Sequence, residues 1–214
     1  MRLRNISFFA LALASVHAVA DPMVESKVPN CSYQKLIVNV PSTIELVASG
    51  DSHGLVSGLE SEINKLAYGC SDNTLRISTQ DKALIETGFK FELTNGAIAK
   101  LVSNGSSVIN ITKLSQKEFE LIANGSGKYS VTGKVENLDV KLNGSGKIEL
   151  SNLVTQHGTA KVNGSGFIRV MATLSLKAKV NGIGRIEYSG SPEQLETSLN
   201  GKGSIIEAQS TTKI

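Results

Sequence analysis

Asn-Gly recurs at Asn104, Asn124, Asn143, Asn163, Asn181 and Asn200, with spacings of 20, 19, 20, 18 and 19 residues. From Asn124 onward each unit reads Asn-Gly-x-Gly, and the second glycine is Gly127, Gly146, Gly166, Gly184 or Gly203. Asn95-Gly96 is a further copy, out of phase. A period this constant marks a repeat architecture, in which each unit buries its apolar side chains by stacking on its neighbours. Five and seven places after the Asn stand pairs such as Ile148/Leu150 and Ile168/Val170, and one and three places before it stand Leu142/Val140 and Val162/Ala160. The positions between them are mostly polar. This is period-two alternation on both sides of a tight turn, so each unit holds at least two short strands.

Two chain paths fit such a pattern. Asn-Gly is a strong hairpin signal, and an antiparallel meander would place it at reversals. Successive hairpins, however, alternate between two ends that normally differ, whereas every unit here carries the same turn and the same flanks. One coil per repeat accounts for this more simply. The predicted fold is therefore all-β: a parallel β-helix, a solenoid of about 19 residues per coil. Stacked coils about 4.8 Å apart bring the asparagines into a ladder, and glycine supplies the positive φ that such a corner requires. The same register places Arg169 between Glu149 and Glu187 as outward neighbours on successive coils.

Upstream of the repeat the chain is less regular. Residues 36–40, 43–49, 74–79 and 89–94 read as strands. Residues 54–69 set Leu55, Leu59, Ile63 and Leu66 on one side of a helical projection and predict an amphipathic helix. A solenoid must protect its terminal coil, and this helix is expected to cover the N-terminal one. The domain plan is a cleaved leader at 1–20, an irregular cap at 21–100, regular coils at 101–208 and a tail at 209–214.

The leader is recognised by Arg2 and Arg4, a short apolar run from Phe8 to Ala14 and the Ala18-Val19-Ala20 cleavage pattern. Cleavage leaves 194 residues beginning at Asp21, with 20 Lys+Arg against 19 Asp+Glu and a net charge of +1. That near-neutral balance excludes an electrostatic nucleic-acid binder. Export makes a disulfide the expected fate of the two cysteines, Cys31 and Cys70.

The quoted stretches "NGSGKIEL" and "NGSGFIRV", together with the closing "NGIGRIEYSGSPEQLETSLNGKGSI", resemble the head GIN domain of the family named "putative autotransporter adhesins". The upstream "STIELVAS" and "LESEINKLAYGCSDNTLRIST" follow the same layout. The resemblance spans roughly residues 33–208. It implies an exported bacterial protein of the periplasm or cell surface, a right-handed coil, and no established catalytic residues. The chain departs from the family name in having no room for a membrane barrel.

Chemistry is sparse. His53 and His157 are the histidines that survive cleavage of the leader, and neither comes with a Ser/Asp or metal-ligand constellation. Glu149 and Glu187 share a column at about 9.6 Å, two coil steps, a separation that would suit an inverting glycosidase pair. The intervening Arg169 argues for a structural ion ladder. No cofactor and no metal are expected. The better ligand candidate is basic: Lys141, Lys161 and Lys179 stand two places before successive asparagines, and Lys128, Lys147 and Arg185 lie past the corner. The expectation is a non-catalytic, adhesin-like binding module for envelope or extracellular glycans or proteins, anionic glycans in particular, with self-association through an end or face of the solenoid. The competing readings are a carbohydrate-active enzyme and a purely structural envelope protein.

Overall fold

The structure is a computed structural model and describes residues 21–208. The leader predicted at 1–20 and the tail at 209–214 lie outside the described residues. The chain winds as a parallel β-solenoid. The strands Val108–Gly125, Lys128–Gly144, Lys147–Gly164 and Phe167–Gly182 are each one coil, and every one pairs in parallel with the next. The final coil is made by Gln194–Gly201 and Ser204–Glu207, which pair with Phe167–Gly182 and Arg185–Ser189. The hairpin meander is thereby excluded for residues 108–207.

The interior follows from the alternation. Leu142, Val162 and Val180 stack in one fully buried column, and Ile148, Ile168 and Ile186 stack in another. Both columns are aliphatic throughout these coils. The register slips by a residue or more only between Ser130 and Gly133 and in the region 150–157, at the corner opposite the asparagines.

The Asn corner is held by backbone as well as side chains. Ser145 N–H and Gly146 N–H donate to the Gly125 carbonyl at 3.1 and 3.2 Å, and Ser165 N–H donates to the Gly144 carbonyl at 3.0 Å. The two glycines of each unit have different duties. Gly144, the first, has φ +133, a conformation that side chains avoid, and a Cβ there would lie 2.3 Å from the Gly125 oxygen. Gly146, the second, is there for space: a Cβ would meet the Gly127 oxygen at 2.6 Å. The ladder glycines named from the sequence, Gly127, Gly146, Gly166, Gly184 and Gly203, are thus close-approach positions, and the positive φ falls on the glycine directly after each Asn.

The N-terminal cap differs from the sequence expectation. The stretch 54–69 is not a helix. Residues His53–Leu59 form a strand antiparallel to Phe89–Thr94 and to Met23–Lys27. A four-residue helix, Glu60–Ile63, follows, and then the strand Leu66–Ser71, antiparallel to Thr74–Thr79. The same stretch also contains a period-two set, Val56 and Gly58, and it is this set that is buried, whereas Leu55 is exposed. Gly54 and Gly58 weaken a helix. Their missing side chains instead admit Leu93, Val28 and Phe89, which a Cβ would strike or crowd.

The terminal coil is therefore covered by antiparallel strands rather than by a long helix. Cys31 and Cys70 are disulfide-bonded across this cap. The short helix contributes one anchor: the Glu62 carboxylate accepts from Glu86 N–H at 2.7 Å, Thr87 N–H at 3.1 Å and Thr87 Oγ1 at 2.5 Å. Glu62 is only 4% exposed. Burial alone would raise its pKa, but these donors together with the Gly88 backbone hold it below the ordinary carboxylate value.

Candidate functional site

The asparagines stack in register, Asn104 to Asn124 to Asn143 to Asn163 to Asn181 to Asn200. Each side-chain Nδ2 donates to the Oδ1 of the Asn one coil earlier: Asn124 to Asn104 at 2.8 Å, Asn143 to Asn124 at 2.7 Å, Asn163 to Asn143 at 2.6 Å, Asn181 to Asn163 at 2.7 Å and Asn200 to Asn181 at 3.0 Å. The ladder has a member that periodicity did not reveal. Asn104 donates to Asn39 Oδ1 at 2.6 Å, because the strand Lys35–Val38 pairs with Lys100–Gly105. Asn39 precedes Val40 rather than glycine, and 65 residues separate it from Asn104. The available signal was the alternation Leu36, Val38, Val40 around it. Asn95, the out-of-phase copy, is buried and stays outside the ladder, donating to the Tyr33 carbonyl at 2.8 Å.

The six basic residues predicted beside this ladder fall into two groups. Lys141, Lys161 and Lys179 are direct register neighbours on three successive coils, flanked by Ile122 before and Ser198 after. All three are half-buried. Lys128 is in register with Lys147 on the far side of the Asn corner. Among the described residues, Lys128, Lys141, Lys161 and Lys179 enter no ion pair.

Lys147 and Arg185 are instead drawn into the ion ladder. Arg169 Nη1 donates to Glu149 Oε2 at 3.2 Å, and Arg169 Nε and Nη2 donate to Glu187 Oε2 at 2.9 and 2.6 Å. Arg185 reaches Glu187 Oε1 at 2.6 Å, and Lys147 lies 3.9 Å from Glu149. The hydrogen bonds that Arg169 donates to Glu187 raise its pKa further. Phe167 lies under both cations, 5.6 Å from Lys147 Nζ and 5.4 Å from Arg169 Cζ. Its part in this network had no signal in the sequence beyond its register. Glu149 and Glu187 are both engaged by one guanidinium, the arrangement of a structural clamp. His157 Nδ1 sits 2.9 Å from Ser175 Oγ on the next coil.

The geometry therefore offers a rigid, repeating face: a neutral amide ladder bordered by a column of uncompensated lysines. Like charges about one strand spacing apart repel by about 1 kcal/mol per pair in bulk water. An anion presented at the same spacing would relieve that repulsion.

Residues 32–192 match the family described as "Putative auto-transporter adhesin, head GIN domain". Comparison with curated proteins gives no match. Among solved structures, the chain is similar to a putative adhesin from Bacteroides fragilis, at 20% identity and a TM-score of 0.69, covering 88% of this chain and 98% of that one. A putative adhesin from Parabacteroides merdae aligns at 16% identity with a TM-score of 0.60, over 89% and 98% of the two chains. A protein from Parabacteroides distasonis described as a putative lipid binding protein aligns at 20% identity with a TM-score of 0.51, over 89% and 98%. At these identities the likeness is one of fold.

Proposed function

The chain belongs to the family described as "Putative auto-transporter adhesin, head GIN domain", and from that premise we propose that it is an exported, non-catalytic binding module whose ligand face is the lysine column beside the Asn ladder. The ligand class is an anionic glycan of the cell envelope or extracellular matrix. The observation that carries this reading is the in-register stack of Lys141, Lys161 and Lys179 without a partnering carboxylate among the described residues. Some cations on the coils are compensated, Arg169 by Glu149 and Glu187, Lys177 by Glu196 and Lys100 by Glu120. Lys113, Lys117, Lys128 and Lys134 enter no ion pair among the described residues either, but only Lys141, Lys161 and Lys179 stack as three lysines on successive coils. A column left unpaired costs stability through self-repulsion, and it suits multivalent contact with phosphate or carboxylate groups repeated along a polymer. Location outside the cytoplasm fits the disulfide between Cys31 and Cys70.

The test is the triple substitution of Lys141, Lys161 and Lys179 to Ser, the residue that occupies the same column at Ser198. Binding of the chain from Asp21 onward to an anionic glycan array is expected to drop by tenfold or more and to weaken with salt in the unaltered protein. Unchanged binding in the triple variant would remove the reading.

A further inference from the structure

Two residues along each coil from the lysine column, the same outward side of the solenoid carries a groove of about 780 Å³. One rim is the column Glu118, Asn137, His157, Ser175 and Gln194, and the other is Glu120, Asp139, Thr159, Lys177 and Glu196. Each rim places one polar side chain on each of five successive coils. The groove therefore runs along the solenoid axis, and its repeat is the strand spacing of about 4.8 Å.

From this groove we infer that the glycan of the proposed function lies along the axis with one sugar unit per coil, its backbone in the groove and its anionic substituents on Lys141, Lys161 and Lys179. The inference rests on that functional reading and assigns it a seat and a direction. The repeat selects the ligand. An extended peptide advances about 3.3 Å per residue and falls out of step with the rungs, whereas an extended pyranose chain advances by roughly one rung per unit, so each unit meets the two rim side chains of one coil.

The rim chemistry agrees. Lys100 and Lys177 are bound to Glu120 and Glu196, which leaves Glu118 and Asp139 without an ion-pair partner among the described residues. Carboxylates only accept hydrogen bonds, so the ligand edge against them must donate, as sugar hydroxyls do. Asn137, Thr159 and Ser175 can both donate and accept. The lysine column stands roughly 7 Å further along each coil, two residues of strand, within reach of an acidic group on the opposite edge of the same sugar.

The experiment is a calorimetric titration of oligogalacturonates of two to eight units into the chain from Asp21 onward. The proteins are the unaltered chain, Thr159→Trp, which fills the middle of the groove from an exposed position, and the triple lysine-to-serine variant. Circular dichroism and the thermal midpoint verify that each variant is folded. Affinity is expected to climb with length and level off at about five units, and Thr159→Trp is expected to weaken the longest ligand by at least about tenfold. Affinity independent of length, or full binding by folded Thr159→Trp, overturns the inference. If the triple variant fails to bind while Thr159→Trp binds normally, the lysine reading stands and the groove falls. If no oligogalacturonate binds the unaltered chain, the inference falls, and the functional reading is decided separately by the anionic glycan array with the triple lysine variant.

Discussion

Replacing Asn143 tests how much the amide ladder contributes. In Asn143→Ala two hydrogen bonds disappear, the one donated to Asn124 at 2.7 Å and the one accepted from Asn163 at 2.6 Å. Each is worth about 1 kcal/mol net, and both neighbours are left half-satisfied at a partly buried corner, so the expected loss is about 2–3 kcal/mol. Asn200→Ala removes only the bond to Asn181, 3.0 Å long and exposed, and should cost about 1 kcal/mol or less.

Asn143→Asp separates hydrogen bonding from shape. The new carboxylate can still accept from Asn163 but faces the Asn124 oxygen with no donor. Its pKa in the folded state is therefore raised, because the protonated form restores the donor. Relative to the unaltered chain, the penalty is largest at neutral pH and shrinks as pH falls below the folded pKa. Urea unfolding at pH 7 and pH 4, with the disulfide intact, measures all three variants. A cost below 0.5 kcal/mol for Asn143→Ala, or an equal cost at Asn200, would refute the view that the ladder is a continuous stabilising chain.

Glu62→Gln should lower stability by about 1–2 kcal/mol at neutral pH, since charge-assisted bonds to Glu86 and Thr87 become neutral ones. The Glu62 pKa is depressed in the fold, so its contribution is present above the unfolded-state value and is lost as pH drops through the folded one; denaturation curves of the two proteins should converge in acid. Reducing Cys31–Cys70, which spans 39 residues, is expected to cost about 4 kcal/mol by the chain-entropy relation, read as a fall in urea midpoint on adding reductant. Arg169→Leu removes the cation shared by Glu149 and Glu187, leaving Lys147 and Arg185 as their remaining partners, and should lower the urea midpoint by an amount that shrinks with added salt. In low salt the triple lysine-to-serine variant should be as stable as the unaltered chain or more so, by up to about 2 kcal/mol, and added salt should erase the gap; a less stable variant would show that the column serves the fold.

The coils were legible in the sequence because their determinants are local and repeated. Asn143, Asn163 and Asn181 announce the corner, and the alternation around them announces the strands, so the register and the Glu149–Arg169–Glu187 stack follow directly. The cap was less legible because each of its elements occurs once. In residues 54–69 the period-3.6 stripe through Leu55, Leu59 and Ile63 competes with a period-two set through Val56 and Gly58. Only the tertiary partners Val28, Phe89 and Leu93 decide for strand. Asn39 escaped for a related reason: its ladder neighbour is 65 residues away, across the whole cap, and its corner needs no following glycine. Among the basic residues, sequence register correctly aligned Lys141, Lys161 and Lys179. It could not show that Lys147 and Arg185 are occupied by Glu149 and Glu187, because that depends on side-chain reach across and along the coils.

The central claim is that residues one repeat apart lie directly over one another. Paired cysteines test it: Lys141→Cys with Lys161→Cys, one coil step apart, and Lys141→Cys with Lys179→Cys, two steps or about 9.6 Å apart. After mild oxidation and peptide mapping that also follows Cys31–Cys70, the first pair should form a disulfide in high yield. The second should not, being beyond the reach of the bond. Failure of the first pair to close, or equal closure of both, would contradict the stacked register on which the binding face depends.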